Sequence, residues 1–384
     1  MTELSPDHLQ IPLFDLRLER EDIDAVAETL RSGWLTMGPR TQAFEEAFAA
    51  HLGVRHAVAV SSCTAALHLA YMAAGVGPGD EVIVPSFTFA ATATAVVYCG
   101  GTPVFADIAS LENPSIDPAA VERLIGPRTK AVAAVHFAGY AAPVDRLREI
   151  CDRHGLALIE DAAHTPSAEL GGRKLGTFGL AGCFSLFSNK VLSVGEGGLL
   201  TTDDDDTAAF ARLARSQGMT SGTWDRHTGR TDSYDVVRLG WNYRLDEPRS
   251  ALAHSRLLRL EADIERRREL VRGYRERLGA IPGVLVPYRD EDVATSTCYV
   301  MPVMVDPGRR DAVRTLMRDE FGVQTSIFYP AVHEFTVYRD MLPATELPLT
   351  EQAARSEITL PLFPHMTAEE QDRVVESLVA GLAR

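Results

Sequence analysis

Of the 38 residues that are Lys or Arg, three are lysines: Lys130, Lys174 and Lys190. Arginine stays protonated at any working pH and cannot form an imine, so a chain that takes its positive charge from Arg keeps Lys where an amine able to lose its proton is wanted. Lys130 opens a strand after a Pro-Arg-Thr turn and Lys174 lies in a Gly-Gly-Arg-Lys-Leu-Gly turn, both positions for an ordinary solvated charge. Lys190 follows the apolar run Cys183-Phe-Ser-Leu-Phe187 and precedes Val-Leu-Ser-Val-Gly-Glu-Gly-Gly198. That pattern predicts an amine at the carboxyl end of a strand, over a glycine turn, where parallel sheets carry their active sites. A partly desolvated amine there has a lowered pKa and attacks carbonyl carbon.

Asp161 closes the run Leu156-Ala-Leu-Ile-Glu160 and is followed by Ala-Ala-His164. A carboxylate at a strand end can bind a metal, act as a base, or pair with a pyridine nitrogen and keep that ring protonated as an electron acceptor. It can also simply cap the next helix. No His/Cys/Asp spacing nearby resembles a metal set, which disfavours the first reading. Ser61-Ser-Cys-Thr-Ala-Ala-Leu67 places small hydroxyl residues between a strand and a helix. Free backbone N–H groups and the helix dipole bind phosphate at such a junction without a lysine, and the same residues serve equally as a cap. Phe89 follows Val84-Pro-Ser-Phe-Thr at another strand end, from which an aromatic ring can stack on a planar ligand or pack in the core. Gly75-Val-Gly-Pro-Gly79 follows a helix and contains Pro78, so it reads as a turn and not as a dinucleotide fingerprint. Asp203 to Asp206 favour a helix N-terminal dipole, and Arg266 to Arg268 read as the polar face of a long helix.

To position these groups the chain alternates strands and helices from Ala57 to Thr202, as a mostly parallel sheet covered on both faces requires. Strands are predicted at Ala57–Val60, Glu81–Val84, Pro103–Ala106, Ala131–His136, Leu156–Glu160, Cys183–Phe187 and Gly198–Thr201. Helices are predicted at Ala65–Ala74, Phe89–Cys99, Asp117–Ile125, Val144–His154 and Thr207–Gly218. A long amphipathic stretch, Asp246–Leu278, leads away from this first unit and marks a boundary between residues 1–245 and 246–384. Beyond it, strands at Val284–Val286, Tyr299–Val305 and Val323–Ile327 and helices at Arg309–Glu320 and Thr367–Leu382 predict a smaller α+β unit.

The 384 residues, 46% of them apolar, are enough for two packed units. The net charge of −15 is spread along the chain and argues against nucleic acid or an anionic membrane as partner. Cys63, Cys99, Cys151, Cys183 and Cys298 are odd in number and lack C-x-x-C spacing, which points to a reducing compartment and no metal framework. No apolar run approaches the ~20 residues that span a bilayer, and the N-terminus lacks a signal-peptide pattern. A cytoplasmic protein is expected.

Taken in order, Ser62-Cys-Thr-Ala-Ala-Leu67, Pro85-Ser-Phe-Thr-Phe89, Glu160-Asp-Ala-Ala-His164, Phe184-Ser185 with Lys190, Gly195-Glu-Gly-Gly198 and Gly240-Trp-Asn-Tyr-Arg-Leu245 resemble the nucleotide-sugar aminotransferases of the DegT/StrS type. The likeness runs from Gly33-Trp-Leu-Thr-Met-Gly-Pro39 to Tyr329-Pro-Ala-Val-His333. It implies an α/β, aspartate-aminotransferase-like fold of type I, with a large mostly parallel mixed sheet and a smaller C-terminal α+β domain. It implies pyridoxal 5'-phosphate as cofactor, held by Lys190 in a Schiff base, with Asp161 on the pyridine nitrogen, Phe89 on the ring and His164 near the phenolic oxygen. Cys63, Thr64 and Ser185 would meet the phosphate, Asn242 would reach the phosphate of the neighbouring subunit in a homodimer, and Tyr329 and His333 would line the sugar pocket. The reaction implied is ping-pong transfer of an amino group from an amino acid, glutamate in most of the family, to a nucleotide-linked keto-sugar. Relatives that dehydrate the sugar carry His in place of this lysine, so Lys190 favours transamination.

The first half resembles enzymes that aminate C4 of a 4-keto-6-deoxyhexose; amination at C3, a cyclic polyol as substrate, and a non-catalytic regulatory relative are the alternatives. Two departures from the family pattern stand out. Glu-Pro-Arg follows Asp246 in place of apolar and small residues, and Phe187-Ser-Asn precedes Lys190 in place of the usual residues.

Overall fold

A computed structural model describes residues 10–384. All seven strands predicted for the first unit are present and join one sheet. In chain order they are β1 (His56–Val60), β2 (Glu81–Pro85), β3 (Thr102–Ala106), β4 (Thr129–Val135), β5 (Ala157–Asp161), β6 (Ala181–Ser185) and β7 (Gly198–Thr202). Their spatial order is β1-β7-β6-β5-β4-β2-β3, and β7 alone runs antiparallel to its neighbours. The fold is therefore α/β with a mostly parallel mixed sheet.

The helices in chain order are α1 (Arg20–Ser32), α2 (Pro39–Leu52), α3 (Cys63–Ala73), α4 (Ala91–Tyr98), α5 (Pro118–Leu124), α6 (Val144–His154) and α7 (Asp205–Ala214). Successive strand residues point to opposite faces, and the core divides accordingly. Val58, Val60, Val82, Val84, Ala131 and Ile159 pack against α3, α4 and α7. Ile83, Val132, Ala134 and Leu158 pack with Val121 of α5 and with Leu147 and Ile150 of α6. Each such Val, Leu or Ile removed from water contributes roughly 1.5–3 kcal/mol, which is why the runs are apolar on both faces.

Expectations about the helices change. The helix predicted from Ala65 begins at Cys63, because the Ser62 hydroxyl accepts the Ala65 N–H at 3.1 Å and caps it two residues earlier. The helix predicted from Phe89 begins at Ala91, which leaves Phe89 in the loop before it. The stretch Asp246–Leu278 is two helices, α8 (Glu247–Leu257) and α9 (Leu260–Leu278), broken at Leu258 and Arg259. Arg259 turns out of the helical line to grip the fully buried Asp22 of α1, which also accepts from Ser255 at 2.7 Å.

Beyond α9 the chain adds β8 (Met301–Met304), α10 (Arg310–Phe321), β9 (Glu357–Leu360) and α11 (Ala368–Ala383). β8 pairs antiparallel with β9. Val284–Val286 and Val323–Ile327 do not form ladder strands; they contribute single bridges, Leu285 to Met304, Val323 to Ile11 and Ser326 to Thr359. Among the described residues no helix is long and apolar enough to cross a membrane, and no cluster of three or more His, Cys, Asp or Glu could hold a metal.

Candidate active site

The parallel strands β5 and β6 end at the same edge on Asp161, which pairs with Cys183, and on Ser185, and β1 ends there just before Ser61 and Ser62. β7 starts there at Gly198, where a Cβ would lie 2.4 Å from the Ser62 carbonyl carbon and 2.6 Å from the Cys63 nitrogen. Only glycine lets the β7 backbone pass the first turn of α3 so closely. A cavity of about 380 Å³ opens over this edge. The structure brings eight of the residues singled out above into its wall: Cys63, Thr64, Phe89, Asp161, His164, Ser185, Lys190 and Tyr329. Phe89 is 61% exposed, unusually for a Phe, and turns toward this space.

Asp161 is buried. Its Oδ2 accepts the Thr92 hydroxyl at 2.7 Å and its Oδ1 accepts the Ala163 N–H at 3.2 Å, with the Cys63 thiol 3.9 Å away. Burial pushes its carboxyl pKa up, opposed by those two hydrogen bonds and by the Lys190 charge. Glu160, the preceding residue, points to the other side of the sheet and is fully buried. Its carboxylate accepts the N–H groups of Gly176, Phe178 and Gly179 at 2.6–2.8 Å and pairs with His136 Nε2 at 3.1 Å.

Lys190 lies in the turn after β6. Its Nζ donates to Tyr299 Oη at 3.2 Å and sits 4.2 Å from the centre of that ring. Although the residue as a whole is half-buried, its amine is enclosed, and burial lowers the pKa to about 8 against the opposing pull of Cys63 and Asp161. Tyr299 Oη in turn donates to Asn189 Oδ1 at 3.0 Å, and its ring stacks on His164 with centroids 4.3 Å apart. Burial holds His164 well below the usual imidazole range, so the ring is neutral. Its Nε2 lies 3.0 Å from Tyr329 Oη, while its Nδ1 is buried with no protein partner.

Two predicted residues lie elsewhere. The structure does not bring His333 into this cavity: its Nδ1 shares a hydrogen bond of 2.7 Å with the Ser86 hydroxyl, its Nε2 is 3.6 Å from Glu351, and it lines a separate cleft with Phe105 and Tyr338. Asn242 is exposed on the surface after a bridge to Ser216 and touches no part of the cavity in its own chain. Conversely, Thr88, Thr92, Asn189, Tyr299 and Phe328 were not singled out from the sequence. Thr88 and Thr92 share a hydrogen bond of 2.9 Å at i, i+4 spacing one turn around Phe89, a signal that could have found them. Tyr299 is 109 positions from Lys190 and carried no local signal.

The model of the "DegT/DnrJ/EryC1/StrS aminotransferase family" matches residues 17–379. The chain is 38% identical over 368 residues to the spore coat polysaccharide biosynthesis protein SpsC of Bacillus subtilis (strain 168), covering 94% of each. It superposes on the crystal structure of S. venezuelae DesV in complex with a ketimine intermediate with a TM-score of 0.89 and 35% identity, over 97% of this chain and 99% of that one. It superposes on DesI, crystallised in the presence of its TDP-sugar product, with a TM-score of 0.86 and 34% identity, over 98% and 93%.

Proposed function

Because the chain belongs to the DegT/DnrJ/EryC1/StrS aminotransferase family and is thus a pyridoxal-phosphate-dependent sugar aminotransferase, we propose that it aminates C4 of a nucleoside-diphosphate-linked 4-keto-6-deoxyhexose with glutamate as donor. The observation that carries this reading is the enclosed Lys190 amine, with its pKa lowered to about 8, in one cavity with Asp161, Phe89 and His164. The TDP-sugar product of DesI supports a nucleotide-linked substrate, and the resemblance of the first-half sequence motifs to enzymes that aminate C4 supports the position.

Pyridoxal phosphate supplies an aldehyde that exchanges for an amine and a protonated ring that accepts electrons. The residues present fit it. The unpartnered His164 Nδ1 offers a hydrogen bond inside the cavity, the exposed Phe89 face offers a stacking surface, and the free N–H groups at the start of α3 offer an anion seat. In our reading Lys190 takes the aldehyde, Asp161 holds the proton on the ring nitrogen, and Phe89 fixes the ring plane. His164 faces the phenolic oxygen, and Cys63, Thr64 and Ser185 receive the phosphate. Asn242, turned outward, serves the phosphate site of a second copy, which makes the working unit a homodimer. Tyr329 borders the sugar. We place the boundary between the larger and smaller domains at Asp246, the N-cap of α8.

The chain's own work is then proton handling. Lys190, once free, takes a proton from the donor's α-carbon in one half-reaction and delivers one to the sugar carbon that receives nitrogen in the other. Each half-reaction needs a neutral amine to take the proton and an ammonium to deliver it, and an amine titrating at about 8 can supply both in turn.

A panel of keto-sugar nucleotides incubated with glutamate, followed by mass spectrometry and NMR of the products, tests substrate and position together. An amino sugar with nitrogen at C4 is expected. Amination only at C3 or only of a cyclic polyol would overturn the substrate assignment, and protein that gains no visible absorption with added pyridoxal phosphate would overturn the whole reading.

A further inference from the structure

Tyr299 is fully buried at the start of the chain that leads into β8, yet its phenol oxygen lies between two groups of the Lys190 turn. Asn189 Oδ1 can only accept, so the phenol proton points to it, and the phenol oxygen is left to accept from Lys190. The Tyr299 ring is itself fixed by stacking on His164. A neutral amine in this arrangement has one N–H directed at Tyr299 and its lone pair free for a proton in the cavity.

We propose that Tyr299 is a positioning residue for Lys190: together with Asn189 it forms a docking point that receives the amine whenever it is not bonded to the cofactor and holds it oriented for proton transfer. This rests on the reading that Lys190 is the proton carrier. Because Tyr299 accepts a hydrogen bond and offers its ring face, it favours the charged amine, which burial disfavours.

The test uses the full-length protein loaded with pyridoxamine phosphate, in which Lys190 is free. Trace acetylation across a pH series, read by mass spectrometry, gives the titration of each lysine, and with only three in the chain the exposed Lys130 serves as internal reference. For Tyr299→Phe, which keeps the stacked ring, the Lys190 titration is expected to move down by about one pH unit, the scale of one hydrogen bond to a charged group. Asn189→Ala, which frees the phenol proton to turn toward the amine, is expected to shift it the same way. With α-deuterated glutamate, both variants are expected to show a lower kcat at unchanged KM and a larger deuterium effect on kcat. Unchanged Lys190 titration in both folded variants overturns the proposal. That outcome is independent of the sugar assignment, since the labelling contains no sugar and no donor; failure of the panel above would leave it intact.

Discussion

The Thr92 hydroxyl donates to Asp161 at 2.7 Å, from the first helical turn after the loop that carries Phe89. One short segment thus supports the two groups assigned to opposite aspects of one ring, its nitrogen and its face. Thr92 and the Ala163 N–H each occupy a different Asp161 oxygen, so the carboxylate keeps a fixed plane.

Replacing Asp161 with Asn keeps both the size and one acceptor but removes the charge. Turnover is expected to fall by about 10²–10³-fold, the scale of losing one preorganised electrostatic partner, while far-ultraviolet circular dichroism stays unchanged. Steady-state kinetics with glutamate as donor checks this.

For the pyridoxamine-loaded protein reacting with keto-sugar, the Lys190 amine must be neutral before it can act as a base. A single-turnover rate that rises about tenfold per pH unit and levels off above pH 8 is expected, from the titration at about 8. Stopped-flow absorbance across pH 6–10 reads it directly, and Lys190→Ala is expected to lose both the visible band and turnover.

Gly198→Ala drives a methyl group into the backbone of Ser62 and Cys63. The first turn of α3 must move, so affinity for pyridoxal phosphate is expected to weaken at least tenfold and stability to drop by about 1–3 kcal/mol. Equilibrium dialysis and urea unfolding separate the two effects.

Glu357 is fully buried beneath Phe328, whose N–H it accepts at 2.7 Å, and burial raises its pKa to about 8. The folded state therefore holds a proton that the unfolded chain releases near pH 4.5, so this group's stabilisation is complete below that value and is lost as the pH climbs to about 8. Glu357→Gln is expected to flatten the fall in Tm between pH 5 and 8 by several degrees, as scanning calorimetry would show.

The sheet was legible because its strands are apolar on both faces and punctuated by Gly and Pro, and Asp161 and Lys190 stand out in the sequence because the first ends one such strand and the second lies in the turn after another. Phe89, Cys63 and Thr64 stand out only through the family resemblance, and all three lie in the wall of the same cavity. What stayed hidden depended on tertiary contact. Glu357-Ile-Thr-Leu360 follows Ser356 of a helix without any turn residue, so β9 has no sequence border and exists through its pairing with β8. The break at Arg259 is set by Asp22, more than two hundred residues away, and no helix propensity in Asp246–Leu278 reports it. The resemblance implies that His333 lines the sugar pocket, whereas its ring meets Ser86, 247 positions away, in a separate cleft, a contact that no local pattern reports.

Glu160 and Asp161 are adjacent acids separated by the thickness of one strand. The first acts as mortar, binding a turn and a histidine on the far face; the second is the tool presented to the ligand. A lineage descended from this protein could therefore discard its chemistry by altering Asp161 while Glu160 preserved the architecture, and an inert descendant would be recognisable by an intact mortar joint beside a missing tool.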